Sequence, residues 1–377
     1  MTRIFLDNAA TTQLSSEVKQ AMLHAMEDLY GNPSSIHNEG RRARAAIEQA
    51  RKTVATAIGA SIGEIFFTSG GTESNNMALK CAVRDLGVRR IISTKVEHHC
   101  VLHSLDALQR DEQVEVEFLS LDAKGHISTE ELQEKLQSTD TPTLVTLMHA
   151  NNEVGTLLDL EAVSAICAEH GAYFHSDTVQ TIGYYPLDVS KTKLSFCSGS
   201  GHKLHGPKGV GFIYINSDNL IKPYVDGGAQ ERNMRAGTEN IYGIIGLAKA
   251  LSSMMEQREV LEQQVRAVRD YMLEQLQAHF KDIMINGDPT GQGHYKLLSV
   301  SFPASPKADL LLLNLDIAGV SVSGGSACSS GADAGSHVMD ALYPGSPRKT
   351  IRFSFSHHNT KEEVDSVIEK LRSALSV

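Results

Sequence analysis

Residues 64–87 read EIFFTSGGTESNNMALKCAVRDLG. An apolar, strand-like run meets Thr68, Ser69 and two glycines, and a helical pattern then runs from Thr72 to Gly87. A strand that turns through glycine into a helix is the repeating unit of an open, mostly parallel α/β sheet. Gly70 and Gly71 permit close backbone approach at the turn. Thr72 is placed to cap the helix and to bond an oxyanion, and a helix N-terminus favours phosphate. The stretch is not a P-loop, because GxxxxGK[ST] is absent.

The same alternation continues along the chain. RRIISTKVEHH, VEVEFLSL, TPTLVTLMHANN, AYFHSD, LSFCSGSGHK and GVGFIYI read as strands, and LEAVSAICAEHG reads as a helix closing on Gly171. A long helical stretch follows from Asn240 to Phe280. Beyond it come strand KLLSVSFP, helix KADLLLLNLDIAG, strands VSVSG and TIRFSFS, and a last helix from Lys361. This tail predicts a smaller α+β domain, with the boundary inside the long helix.

Composition narrows the function classes. The 377 residues are 41% hydrophobic and 21% charged, with a formal net charge of −10. No long basic run is present, which argues against nucleic acid and anionic membrane as partners. DLLLLNLDIAGV is too short and too interrupted to span a bilayer, and no basic-then-apolar leader opens the chain. A soluble, cytoplasmic protein is expected. Five cysteines, at 81, 100, 167, 197 and 328, are widely spaced and include no CxxC, which argues for free thiols in a reducing compartment. Cys81 and Cys167 read as core thiols on helix faces. Cys328 does not: VSVSGGSACSSGAD sets it among glycines, serines and alanines.

In open α/β sheets, ligands gather at the carboxyl ends of the strands. TSGGTES, VEHH, HANNE, HSDTVQ and GSGHK all fall at such ends. Lys203 follows a strand, and a lysine so placed can serve as a Schiff-base amine; Lys208, in the following turn, is the better surface candidate. Asp177 ends another strand, with Gln180 three residues on, and a buried carboxylate there needs a cation. A phosphate cradle, an Asp and a Lys are the residue types that pyridoxal 5'-phosphate (PLP) requires, and VEHH adds a ring to stack on a pyridine face. His99, Cys100, His103 and His175 are metal-ligand types, but neither CxxC nor HExxH supports a metal site.

In order, FLDNAATT, GNPSSIH, FTSGGTESNN, VEHH, HANNEVG, SDTVQ, SGHKLHGPKGVG, RAGTEN, GSACSSG and IRFS resemble the class V aminotransferase-fold enzymes, specifically cysteine desulfurases of the NifS/IscS type. The resemblance spans residues 5–356. It implies an α/β fold of the aspartate aminotransferase-like type (PLP fold type I). A large PLP-binding domain with a mostly parallel seven-stranded sheet would cover 12–258. Residues 1–11 and 259–377 would form the small α+β domain carrying the cysteine loop. The implied roles are as follows. Lys203 is the Schiff-base lysine, His98 stacks on the ring and acts as acid/base, Asp177 pairs the pyridinium nitrogen, and Gln180 bonds the ring O3'. Gly71, Thr72, Ser200 and His202 hold the phosphate, and Thr238 reaches the phosphate of a neighbouring subunit in a homodimer. Asn152 and Arg352 take the substrate carboxylate, and Cys328 attacks the sulfur of L-cysteine.

Glycine and serine around Cys328 would let that thiol reach the substrate and then deliver sulfur to an acceptor protein, a scaffold or sulfur carrier for iron–sulfur or other thio-cofactor synthesis. Ser195 and Gly199 stand where the family often has an aspartate and an apolar or aromatic residue, with only repacking expected. The chain ends at LRSALSV, soon after the last domain helix, where housekeeping members carry a further tail for a scaffold protein; a scaffold engaged in that way is not expected. Two rival readings remain at this level: another PLP enzyme on the same fold, such as a selenocysteine lyase or an aminotransferase, and a non-catalytic sulfur carrier. The thiol in its mobile-looking loop favours sulfur transfer, because transamination needs no thiol.

Overall fold

The computed structural model describes residues 3–324 and 335–376. After a short strand β1 (Ile4–Phe5) and two helices, α1 (Ser16–Asp28) and α2 (Asn38–Ala57), the chain enters its main sheet. The strands are β2 (Ile65–Thr68), β3 (Arg90–Ser93), β4 (Glu115–Phe118), β5 (Thr143–Thr146), β6 (Tyr173–Asp177), β7 (Phe196–Ser200) and β8 (Gly211–Ile215). They lie side by side in the order β2-β8-β7-β6-β5-β3-β4. Strand β8 pairs antiparallel with both neighbours, and every other pairing is parallel. Helices α3 (Gly71–Asp85), α4 (His99–Glu112), α5 (Thr129–Gln137) and α6 (Leu160–Glu169) make crossovers between strands. Strands β2, β3, β5, β7 and β8 are buried at every residue, because helices cover both faces of such a sheet. The edge strand β4 (EVEF) shows its first glutamate to solvent.

Helix α7 (Ile241–His279) runs unbroken for 39 residues, about 58 Å at 1.5 Å per residue. The tail then forms β9 (Met284–Asn286), β10 (Leu297–Phe302), α8 (Pro306–Asp309), α9 (Leu311–Ile317), β11 (Val320–Ser321), α10 (His337–Leu342), β12 (Lys349–Ser354) and α11 (Lys361–Leu375). Strands β12, β10 and β9 make an antiparallel sheet. Helix α7 packs against α1, α2 and α11, so it bridges the two layers. A continuous apolar core runs from Phe67 and Phe212 through Leu247 and Met272 to Val300 and Phe353.

Local details depart from the sequence expectation. The VSVSG strand shrinks to two residues that pair parallel with β1, Ile4 facing Val320, and touches the small sheet through an antiparallel bridge between Ser323 and Arg352 of β12. KADLLLLNLDIAG breaks at Leu310 into two short helices. The three residues of β9 lay below any sequence signal.

One buried ion pair pins the segment that leads to RAGTEN. Arg51, on α2, forks onto Glu231 at 2.6 and 2.9 Å, and both side chains are 3% exposed. Glu231 also accepts from the Phe67 amide at 2.8 Å. Removing one partner of such a pair strands a charge in the core. Arg51→Met is therefore expected to lower stability by about 3–5 kcal/mol, read as a lower urea midpoint. An unchanged midpoint would show that the pair contributes nothing net.

Candidate active site

The carboxyl ends of β2, β3, β5, β6 and β7 converge on one cavity of about 300 Å³, at the small end of the usual ligand-pocket range. Its wall includes Gly71 and Thr72 after β2, His98 and Cys100 after β3, Met148 and Asn152 after β5, Asp177 and Gln180 at and after β6, and Ser200, His202 and Lys203 at and after β7. Arg352 reaches it from β12. Ten of the twelve residues singled out by the resemblance line this cavity; Thr238 lies elsewhere, and Cys328 lies outside the described residues.

The phosphate-type end is built from backbone. The N-cap of α3 is Gly70, at φ 151°, and no side chain caps the helix. This corrects the expectation that Thr72 is the cap: Thr72 sits within the first turn, lines the cavity and bonds the Cys100 side chain. A Cβ on Gly71 would come 2.6 Å from Val179 Cγ2, so the turn packs against the β6 loop only without a side chain. Ser200 and His202 border the same helix end. Burial, reinforced by Lys203, lowers His202 to about 4, so it presents a neutral ring.

Asp177 is 6% exposed. Its carboxylate accepts from Asn75 Nδ2 at 2.7 Å, from the Val179 amide at 3.0 Å and from Ser198 Oγ at 3.4 Å. All three donors are neutral. Gln180 donates to the Ala9 carbonyl at 3.0 Å and keeps Oε1 buried without a partner among the described residues. The half-buried Lys203 ammonium reaches the carbonyls of Ala9 and Ala10 at 2.6 and 2.8 Å, while Lys208 is exposed.

His98 caps α4, its Nδ1 accepting from the Cys100 amide at 3.2 Å. Burial lowers its pKa, and Asp177 partly offsets that. Arg352 is 1% exposed and donates to the Asn152 carbonyl at 2.8 Å and to Asp7 at 2.9 Å; its buried Nε has no partner among the described residues. A fixed, incompletely paired guanidinium of this kind suits a carboxylate ligand. Thr238 is exposed and lies in a separate opening with Arg235 and Gly209, away from the Lys203 cavity.

These features fit PLP on the observations themselves. A carboxylate buried among neutral donors, an unfilled Gln180 acceptor and an uncapped helix end match a pyridinium, a phenolic oxygen and a phosphate. Sequence reasoning missed several contributors. Ala9 and Ala10, which receive the lysine, belong to the FLDNAATT motif but carry no chemical signature. Asn75 carries no mark in the sequence beyond its place in a helix, and Cys100 stands out there only as a metal-ligand type.

The chain belongs to the class-V aminotransferase family, whose profile matches residues 4–367. It is 41% identical to the cysteine desulfurase IscS of Dictyoglomus turgidum, over 98% of this chain and 95% of that one. It is 42% identical to the putative cysteine desulfurase IscS 1 of Bacillus subtilis, over 97% and 96%. A solved NifS-like protein superposes with a TM-score of 0.91 at 35% identity, covering all of both chains. No helix among the described residues is long and apolar enough to cross a membrane.

Proposed function

We propose that this chain is a PLP-dependent cysteine desulfurase, taking sulfur from L-cysteine onto Cys328 and releasing L-alanine. The observation that carries the reading is the meeting of the Lys203 amine, the Asp177 carboxylate and the Arg352 guanidinium on one cavity, in a chain about 40% identical to proteins of that name. PLP, bound there, supplies an aldehyde and an electron sink. Lys203 holds it and moves the substrate α-proton. Asp177 keeps a positive charge on the ring nitrogen, and Gln180 holds O3'. Gly71, Thr72, Ser200 and His202 bind the phosphate. Arg352 and Asn152 fix the substrate carboxylate, and His98 covers the ring and passes a proton near the substrate sulfur. The Cys328 thiolate attacks that sulfur. An S–S bond forms, the C–S bond breaks with its electron pair left on carbon, and a proton completes alanine. Cys328 then carries the persulfide to an acceptor.

The same reading divides the chain into 12–258 and 1–11 with 259–377, the second part bringing Asp7, Ala9, Arg352 and Cys328 to the first. It places the enzyme in the cytoplasm as a homodimer, in which Thr238 serves the partner's phosphate site. The acceptor is a sulfur carrier or a scaffold for iron–sulfur or thio-cofactor synthesis.

The direct test adds L-cysteine and a reductant to the purified protein. Equal amounts of alanine and sulfide are expected. Formation of a keto acid without sulfide would overturn the reading in favour of a transaminase, and turnover only of selenocysteine would make it a lyase.

A further inference from the structure

A second thiol lines the cavity. Cys100 Sγ lies 3.0 Å from His98 Nδ1 and 3.3 Å from Asn75 Nδ2. Asn75 is wholly buried and gives its other amide hydrogen to Asp177 Oδ2 at 2.7 Å. Its Oδ1 lies 3.2 Å from His175 Nε2, and His175 Nδ1 lies 2.8 Å from Thr146 Oγ1.

The donors and acceptors of this chain can be assigned one by one. Both amide hydrogens of Asn75 are used, on Asp177 and on the sulfur, so Asn75 Oδ1 must accept, and His175 carries its proton on Nε2. Burial lowers His175 to about 4, so it stays neutral and its Nδ1 accepts from Thr146. The sulfur of Cys100 accepts from Asn75. Burial, aided by Asp177, pushes that thiol up to about 12, so it keeps its hydrogen. Thr72 also bonds this sulfur, in the sense of a donor like Asn75, which leaves the thiol hydrogen for His98 Nδ1, the atom that already accepts the Cys100 amide. Two donors on Nδ1 leave the ring proton on Nε2.

We propose that Cys100 is a positioning residue that holds His98 in its neutral, Nε2-protonated tautomer and ties it through Asn75 to the carboxylate of Asp177. His98 thereby meets the substrate first as a proton donor. Were its Nδ1 protonated, it would face an amide hydrogen and a sulfur already engaged by Asn75, so the arrangement resists the imidazolium. Burial lowers the His98 pKa most, Asp177 opposes this by raising it, and Lys203, His337 and His103 lower it further. The role assigned to His98 rests on the desulfurase reading; the tautomer does not.

The test uses the PLP-loaded protein labelled with ¹⁵N-histidine, the His98 signals being identified by their loss in His98→Gln. Wild type should show an acceptor-type Nδ1 and a protonated Nε2, with a titration below the ordinary histidine range. Cys100→Ala keeps the backbone amide on Nδ1 but removes the thiol hydrogen, so it should raise the share of Nδ1-protonated ring and raise the His98 pKa by about half to one pH unit, the worth of one neutral hydrogen bond. Cys100→Ser keeps a donor at this position and should restore both readouts. A proton on Nδ1 in wild type, unchanged signals in Cys100→Ala, or a serine variant resembling the alanine variant would each overturn the proposal. Alanine release from L-cysteine, measured on the same wild-type sample, reports separately on the desulfurase reading, since its absence leaves the tautomer result intact.

Discussion

Lys203→Ala is expected to abolish turnover of L-cysteine, by at least about 10³-fold, while leaving the fold intact. The size follows from losing covalent attachment and proton transfer together, each normally worth orders of magnitude. The fold should survive because the Lys203 ammonium bonds the Ala9 and Ala10 carbonyls at the cavity wall, where water can replace it. Far-ultraviolet circular dichroism should match wild type, and borohydride should no longer fix PLP to the chain. The informative alternative is attachment elsewhere. Lys296 is completely buried, with its amine 3.4 Å from the Lys203 carbonyl and 4.1 Å from the Tyr184 ring centroid. Burial pulls it well below the ordinary lysine range, so it is a second nucleophilic amine close by. A borohydride-reduced wild type with PLP on Lys296, or on any lysine but 203, would sink the assignment.

The parts of this site that were legible in the sequence share one property. Asp177, Lys203, His98 and Gly71 sit where an apolar strand gives way to polar residues, and in a parallel sheet those ends face one edge. Period and polarity alone bring them together. The illegible parts lack such a mark. Ala9 and Ala10 act through backbone carbonyls, which every residue has, and they reach Lys203 across more than 190 positions. Asn75 is a polar residue inside a helix, with nothing in the sequence to show that the packing of α3 on β6 and β7 buries it. Thr72 was read as the cap because threonine caps helices well. The structure uses Gly70 instead, at a φ of 151° that residues with a side chain rarely adopt. Gly199, a departure from the family pattern, is filled from across the sheet: the Phe212 ring lies where its Cβ would be.

Cys328→Ser should retain PLP and still change its visible spectrum on adding L-cysteine, yet form alanine and sulfide at a negligible rate. Serine nearly preserves size but is a far poorer nucleophile toward sulfur. The other four thiols make poor substitutes, for reasons visible in the fold. Cys81, Cys167 and Cys197 are buried, and burial pushes them up to about 11, 12 and 12. Cys100 does line the cavity, but at a pKa of about 12 its ionised fraction near neutral pH is on the order of 10⁻⁴–10⁻⁵, and its hydrogen faces His98 Nδ1. A thiol at the ordinary value of about 8.5 is ionised several per cent of the time, about three orders of magnitude more often than Cys100. After brief exposure to L-cysteine without reductant, mass spectrometry should therefore find one added sulfur on the peptide containing Cys328. The serine variant separates Cys328 from Cys100. If it still gained a sulfur, on Cys100, or turned over normally, Cys100 would be the nucleophile, and its hydrogen bond to His98 would mark a thiol being deprotonated rather than a ring being held.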